Sequence, residues 1–216
     1  MRPIDLTHTI VPGMPQWRGD EQPLAVHRLS LHGEDSHMSS SLEFGCHIGT
    51  HIDAPLHFLD GAPAVDELPL EAFGGAALVL DATSAVTADS RPSPLDLDLL
   101  QDVDLTDVDF LLIRTGWDAH WGTGRYYEDW PALTPQLAEM LAEAGLKGVG
   151  VDTPSPDAFG GHLAHDLFAA KNMINIENLT GLAQLPERGA WFQAFPLKLQ
   201  GTEASPVRAI AWVEPA

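Results

Sequence analysis

Prolines and glycines crowd the opening of the chain (Pro3, Pro12, Gly13, Pro15, Gly19), which predicts extended segments joined by turns. Residues 75–82 and 109–115 are short, apolar, partly β-branched runs, the pattern of buried strands. Over residues 135–144 apolar side chains recur at helical spacing (Leu137, Met140, Leu141, Ala144). Thr134 can cap this helix, Pro135 takes its first position and Gly145 stops it. A strand is predicted at 148–152, then a proline-rich turn over 153–157. Residues 162–170 predict a short helix with Leu163, Leu167 and Phe168 apolar. Residues 173–179 predict a strand, with Ile174 and Ile176 on one face and Asn175 and Glu177 on the other. Helix, strand and acid-ended loop in succession predict an α/β fold, with its chemistry in loops at strand ends. With no internal repeat or low-complexity tract, residues 1–216 are expected to form a single domain.

Residues 43–58 carry the most informative pattern. The even positions, Phe44 to Phe58, are apolar except for Thr50, while the odd positions include His47, Gly49, His51, Asp53, Pro55 and His57. In an extended chain the two sets lie on opposite faces. One face is expected in the core, including Cys46 as a small core residue. The other carries three imidazoles and a carboxylate among residues too small to block them. Imidazole and carboxylate are ligands for zinc, manganese or iron, and Gly49 lets the backbone approach an ion. The pattern predicts a strand running into a turn at Ala54-Pro55; a distorted turn gathering His47 and His51 is the other arrangement it allows. One strand seldom closes a metal site. Downstream, Glu177 lies on the polar face of an apolar strand, where a charge needs a partner. His162 and His165 share a helix face, and spacing alone does not choose between them.

The chain's charge narrows the partners. Formal net charge is -20, from 31 acidic and 11 basic residues. That surface repels nucleic acid and anionic lipid, leaving a small-molecule substrate as the expected partner. A lone cysteine allows no internal disulfide. The N-terminal residues lack the basic start and apolar run of a signal peptide, and no apolar stretch approaches the roughly 20 residues that span a bilayer. A cytoplasmic location is the expectation. Arg18-Gly19-Asp20 matches a cell-adhesion tripeptide, a coincidence in a chain without a secretion signal.

The run His47-Ile48-Gly49-Thr50-His51-Ile52-Asp53-Ala54-Pro55-Leu56-His57 resembles the H-x-G-T-H-x-D-x-P-x-H signature of the cyclase family of metal-dependent hydrolases, which includes bacterial kynurenine formamidases and isatin hydrolases. Further similar segments are Ile4-Asp5-Leu6-Thr7, Trp17-Arg18-Gly19-Asp20 (an aromatic-x-Gly-Asp turn), Leu112 through Trp117, Gly150 through Ser155, Ile176-Glu177-Asn178-Leu179, and Pro196 through Arg208. The resemblance implies a swivelling β/β/α domain with a mixed sheet, assembled as a homodimer or homotetramer. It implies one or two divalent ions, zinc first and manganese second. His47, His51 and Asp53 would bind the first ion. Asp53 would bridge to a second completed by His165 and Glu177, the twelve-residue family spacing selecting His165 over His162. His57 matches the family's catalytic histidine. The Ile176-Glu177-Asn178-Leu179 segment is more similar to general cyclase-type members than to dedicated kynurenine formamidases.

These expectations define a reaction. Water acidified to a pKa near ~7 by an ion can attack a polarised amide carbonyl, and His57 can carry a proton to the leaving nitrogen. The leading substrate is an aryl formamide of the N-formylkynurenine kind, an intermediate of tryptophan catabolism. The alternatives are a cyclic amide or lactone opened by the same chemistry, or a metal-dependent cyclase or isomerase acting through an enolate. A metal-binding module without catalysis would leave His57 without a task. Trp17, Trp191, Phe192 and Phe195 are candidates to stack an aromatic ring.

Overall fold

The computed structural model describes residues 1–17, 22–86 and 91–214. Arg18-Gly19-Asp20, with the turn expected there, lies outside the described residues. In chain order the strands are β1 (Arg2–Asp5), β2 (Ala25–Ser30), β3 (Ser39–Glu43), β4 (His51–Asp53), β5 (Gly74–Asp81), β6 (Phe110–Arg114), β7 (Gly148–Val151), β8 (Ile174–Glu177), β9 (Arg188–Gln193), β10 (Ala204–Pro206) and β11 (Ile210–Val213). Two α-helices, α1 (Pro135–Glu143) and α2 (Leu163–Ala170), precede β7 and β8. Nine strands form one mixed sheet in the order β1-β11-β9-β5-β6-β7-β8-β4-β10, and β2 and β3 form a separate hairpin. β5, β6, β7 and β8 run parallel; the remaining pairs in the sheet are antiparallel. This is the mixed α/β architecture expected.

The local signals fall where the pattern puts them. Leu137 N donates to Thr134 Oγ1 at 3.3 Å, Pro135 opens α1, and Gly145 lies in the left-handed region at φ +76°. Alternate residues of each central strand feed two cores. Leu78, Leu80, Leu111, Ile113, Val149 and Val151 pack under α1 and α2. Val79, Phe110, Leu112, Ile174 and Ile176 pack on the opposite face, where the curled sheet closes over Phe192, Ala209 and Ala211.

The run over 43–58 departs from the extended pattern. After Glu43, which ends β3, only His51–Asp53 is strand, and residues 48–55 are all buried instead of alternating. β4 lies inside the sheet, between β8 and β10, so its apolar face meets the core and its polar face meets the site. Gly49, at φ +63°, breaks the extension. Cys46 is half-buried rather than a full core residue.

Close strand packing supplies a stability test. A Cβ on Gly148 would stand 2.6 Å from the backbone oxygen of Ile174, whereas the close contacts of one on Gly150 would be the side-chain tips of Leu179 and Leu112 at 2.7 and 2.8 Å, with Ile176 Cβ at an ordinary 3.8 Å. Gly148→Ala is expected to lower unfolding free energy by about 1–3 kcal/mol and Gly150→Ala by less, as read from denaturant titrations. Equal losses would show that the backbone contact is not what excludes a side chain.

Candidate metal centre and active site

The turn at Gly49 folds His47 back over β4. Its ring centroid lies 5.0 Å from that of His51 and 4.3 Å from that of His57, so the chain adopts the turned arrangement and not the straight one. The turn is pinned from two sides. Thr50 Oγ1 donates to Asn178 O at 2.6 Å, and Val207 N donates to Thr50 O at 3.0 Å. Past β4, Ala54 is extended and Pro55–His57 form one 3-10 turn, returning His57 to the same cavity. Phe58 follows it there instead of entering the core. Its ring lies 4.5 Å from His165 and 4.4 Å from His57.

The second half of the site comes from β8 and α2. Antiparallel pairing sets His51 opposite Glu177 and Asp53 opposite Asn175, with Ile52 and Ile176 on the other face. His165, in α2, is buried and reaches the same carboxylates: Nε2 lies 3.2 Å from Glu177 Oε1 and 3.5 Å from Asp53 Oδ2. His162 is exposed, with Nδ1 2.7 Å from Asp166 Oδ2. Of the two histidines, the fold brings His165 to the cluster.

Asp53 divides its oxygens. Oδ1 faces His47 Nδ1 at 3.0 Å and His51 Nε2 at 3.4 Å; Oδ2 faces His165. Glu177 is divided likewise, with Oε2 3.5 Å from His51 Nε2 and Oε1 near His165. Each imidazole is steered from behind. His51 Nδ1 donates to Gly49 O at 2.9 Å, and Asn178 Nδ2 donates to the same oxygen at 2.9 Å. His165 Nδ1 donates to Asp157 Oδ2 at 2.7 Å, while Ala164 N and His165 N also donate to Asp157. His47 Nε2 lies 3.3 Å from Glu203 Oε1. With Nδ1 carrying the proton, the Nε2 atoms of His51 and His165 present lone pairs to carboxylate oxygens.

Lone pairs facing anions in a buried space call for a cation. His51 Nε2 and Asp53 Oδ1 are both buried without a well-formed hydrogen bond, held only at the ion-pair distances above, and an unsatisfied buried polar group is costly. Two groups, His47/Asp53/His57 and His51/Asp53/Glu177, each hold ligand atoms within 4.8 Å of one another. The donor set fits a divalent ion, and ligand histidines backed by a carbonyl or carboxylate are the usual arrangement at such centres. Protons take the cation's place without it. Burial disfavours charge on His47, yet Asp53, Glu177 and Glu203 raise its pKa to about 9. Burial likewise opposes charge on His165, yet Asp157, Asp53 and Glu177 hold it well above the ordinary range. Asp53 stays well below the carboxylate range despite burial, because His51, His47 and His165 surround it. His57 goes the other way: burial pushes it down, with His47 and His165 opposing its charge and Asp53 and Glu177 favouring it.

The cluster opens into a cavity of about 180 Å³ walled by Trp17, Phe58, Tyr127, Pro154 and Ser155. Of the four aromatic candidates only Trp17 lines it. Phe192 is fully buried in the core, Phe195 leans on Phe73, and Trp191 lies beside Trp212 on a separate surface. Sequence reasoning missed Phe58, Tyr127, Asp157 and Asn178. The aromatic-rich run 126–130 and the acid ending the proline turn were the available signals.

Fold and donor set are those of an α/β protein with a buried cluster able to hold a divalent ion. Residues 4–158 match the model of the Cyclase family, described as putative cyclase, and the chain belongs to that family. It is 31% identical over 215 residues to a kynurenine formamidase of Salinibacter ruber, covering 96% of this chain and 95% of that one. The fold is similar to isatin hydrolase A from Ralstonia solanacearum (TM-score 0.87, 30% identity, 99% of this chain and 92% of that one). It is also similar to a predicted metal-dependent hydrolase from Bacillus stearothermophilus (TM-score 0.79, 29% identity, 97% of each chain).

Two outcomes are expected of the centre. His165→Ala and Asp53→Ala lose bound metal by elemental analysis, His162→Ala keeps it, and Asp157→Ala weakens binding by roughly 10–100-fold; metal loss in His162→Ala alone would reverse the assignment. Because His47 without an ion is protonated up to about pH 9, metal uptake at pH 7 releases roughly one proton or more per chain. Calorimetry in buffers of different ionisation enthalpy reads that release, and the share that comes from His47 fades as pH rises through 9. A heat independent of buffer at pH 7 contradicts it.

Proposed function

We propose that this protein hydrolyses an aryl formamide, with His57 as general acid–base and a divalent ion, zinc or manganese, held by His47, His51, Asp53, His165 and Glu177. The observation that carries this reading is the grouping of His57 with His47 and Asp53, their ligand atoms within 4.8 Å of one another, at the foot of an aromatic-walled cavity that His51 also lines. The chemistry a divalent ion supplies when bound is acidification of water to a pKa near ~7 and polarisation of a carbonyl. The protein's own residues do the rest. His57, kept neutral by burial, accepts a proton from the attacking water and delivers it to the leaving nitrogen. Trp17, Phe58 and Tyr127 hold the ring. Trp17 meets Tyr127 edge-on at 6.0 Å and stacks on Phe159 at 5.4 Å, which fixes the plane of that wall.

The name kynurenine formamidase on its curated relatives supports the formamide. A second reading, opening of a cyclic amide by the same groups, is supported by the likeness to isatin hydrolase A. The small-molecule substrate, a cytoplasmic site of action and a homodimer or homotetramer belong to the same proposal. No helix among the described residues is long and apolar enough to cross a membrane.

A panel of N-formyl aromatic amines, N-formyl aliphatic amines and cyclic amides tests this. Formate release is expected to be fastest from the aromatic formamides, with one solvent oxygen entering the product. Equal rates on aromatic and aliphatic formamides would remove the ring wall from the argument, ring opening without formate would favour the second reading, and no solvent oxygen would indicate isomerisation. His57→Ala is expected to keep its metal and lose roughly 10²–10⁴ in rate; loss of metal along with rate would make His57 a ligand.

A further inference from the structure

Tyr126 is fully buried and stands outside the cavity wall, one residue before Tyr127, which lines it. Both belong to the 3-10 turn Gly124–Tyr127, anchored where Trp117 Nε1 donates to Tyr126 O at 2.9 Å. Tyr126 Oη donates to Asn178 Oδ1 at 2.9 Å, with Asp152 O a more distant acceptor at 3.4 Å. Burial holds this phenol well above its ordinary range, so it remains a donor. From the other end of the same carboxamide, Asn178 Nδ2 donates to Gly49 O at 2.9 Å. His51 Nδ1 donates to that oxygen too, also at 2.9 Å, and the two nitrogens stand 3.4 Å apart.

A carboxamide can turn half a revolution with little change of shape, so its orientation follows its partners. Gly49 O only accepts and calls for the amide nitrogen, while Tyr126 supplies a hydrogen to the amide oxygen. Without the phenol, the reversed amide competes. Its oxygen would then oppose Gly49 O and offer the His51 Nδ1 proton a second acceptor. The imidazole would be drawn off the carbonyl, and Nε2 with it away from Asp53 and Glu177. The backbone of Asn178 is fixed separately, because its N donates to Thr153 O at 3.1 Å and its O accepts from Thr50 Oγ1 at 2.6 Å. Loss of the phenol therefore frees the side chain alone.

We propose that Tyr126 is a positioning residue for the metal centre, acting through the Asn178 carboxamide and Gly49 O to hold His51 with Nε2 toward Asp53 and Glu177. The inference rests on the metal-dependent reading above. It places a control on metal affinity in a side chain that touches neither ion nor substrate.

A double-mutant cycle read in Zn2+ affinity tests it, with chelator-treated protein, a competing chromophoric chelator and no substrate. Tyr126→Phe is expected to hold Zn2+ roughly tenfold more weakly than the wild type. Asn178→Gly removes the carboxamide and suits the left-handed backbone at φ +57°. In that background, Tyr126→Phe should cost less than about twofold more, because the two residues act as one unit. Loaded with Co2+, Tyr126→Phe should also shift the visible absorption of the ion, which reports ligand geometry and not fold stability. Wild-type Zn2+ affinity in Tyr126→Phe, the full loss repeated in the Asn178→Gly background, or an unchanged Co2+ spectrum would each overturn the proposal while leaving the metal-dependent reading standing. A wild type that binds no Zn2+ and hydrolyses in chelator would remove both. If Tyr126→Phe does not fold, a crystal structure of the wild type with Zn2+ decides. His51 Nε2 roughly 2.0–2.1 Å from the ion, with Tyr126 and Gly49 O still at the two ends of the carboxamide, supports the proposal. His51 bound through Nδ1, or off the ion, overturns it.

Discussion

Asp53 can serve two ligand sets at once because β4 pairs with β8 in one register, His51 opposite Glu177 and Asp53 opposite Asn175. A slip of one residue would turn Ile52 toward the cavity and send His51 and Asp53 into the core. What prevents the slip is the apolar partner face. Ile52 and Ile176 are both fully buried in the core that also takes Leu112, Ile174 and Phe192. Exposing or misplacing two such side chains costs about 1.5–3 kcal/mol each, more than any rearrangement of the polar face returns. The chemistry is thus held in place by hydrophobic packing on the far side of the same two strands.

The convergence has its own cost. Asp53, Glu177, His51 and His165 are all buried, with Asp157 behind them, and buried charges are tolerated only when paired and hydrogen-bonded. The surroundings meet that condition in a directed way. Asp157 is held by two backbone N–H groups at the start of α2 as well as by His165. Asn178 accepts from Tyr126 Oη at 2.9 Å and donates to Gly49 O, the carbonyl that fixes His51. The supporting groups are satisfied; the unsatisfied atoms are His51 Nε2, Asp53 Oδ1 and Asn175 Oδ1, with His8 Nε2 the fourth among the described residues. Two of the four, on His51 and Asp53, belong to the proposed ligand residues, and Asn175 stands beside Asp53.

Much of this was legible in the sequence because it rests on local periodicity. The strands over 75–82, 109–115 and 148–152 and the helix over 135–144 appear within about a residue of their predicted bounds. Likewise His47, His51, Asp53 and His57 reach one cavity. Other features depend on tertiary contacts that no local pattern encodes. Phe58 had the parity of a core residue, but the 3-10 turn at Pro55–His57 shifts the phase of the chain and swings it into the cavity. Phe192 and Phe195 flank the end of β9, where sheet curl sends one into the core and leaves the other half-exposed. Asp157 and Asn175 read as a turn acid and a strand polar residue. Their places beside His165 and Asp53 come from the packing of α2 on β8 and from the β4–β8 register.

The two halves of the centre lie more than a hundred residues apart in sequence, and the strands that join them are short. β4 and β10 have three residues each, with β10 at the edge of the sheet. Few ladder hydrogen bonds hold this edge, so its local stability is low relative to the central parallel strands. An ion held by residues of β4, α2 and β8 would tie β4 to the rest of the sheet, and ligand binding stabilises the folded state by about 2.7 kcal/mol at a concentration of 100 Kd. His57 follows β4 directly through the 3-10 turn Pro55–His57, so its place in the cavity is set by the same short strand that carries His51 and Asp53.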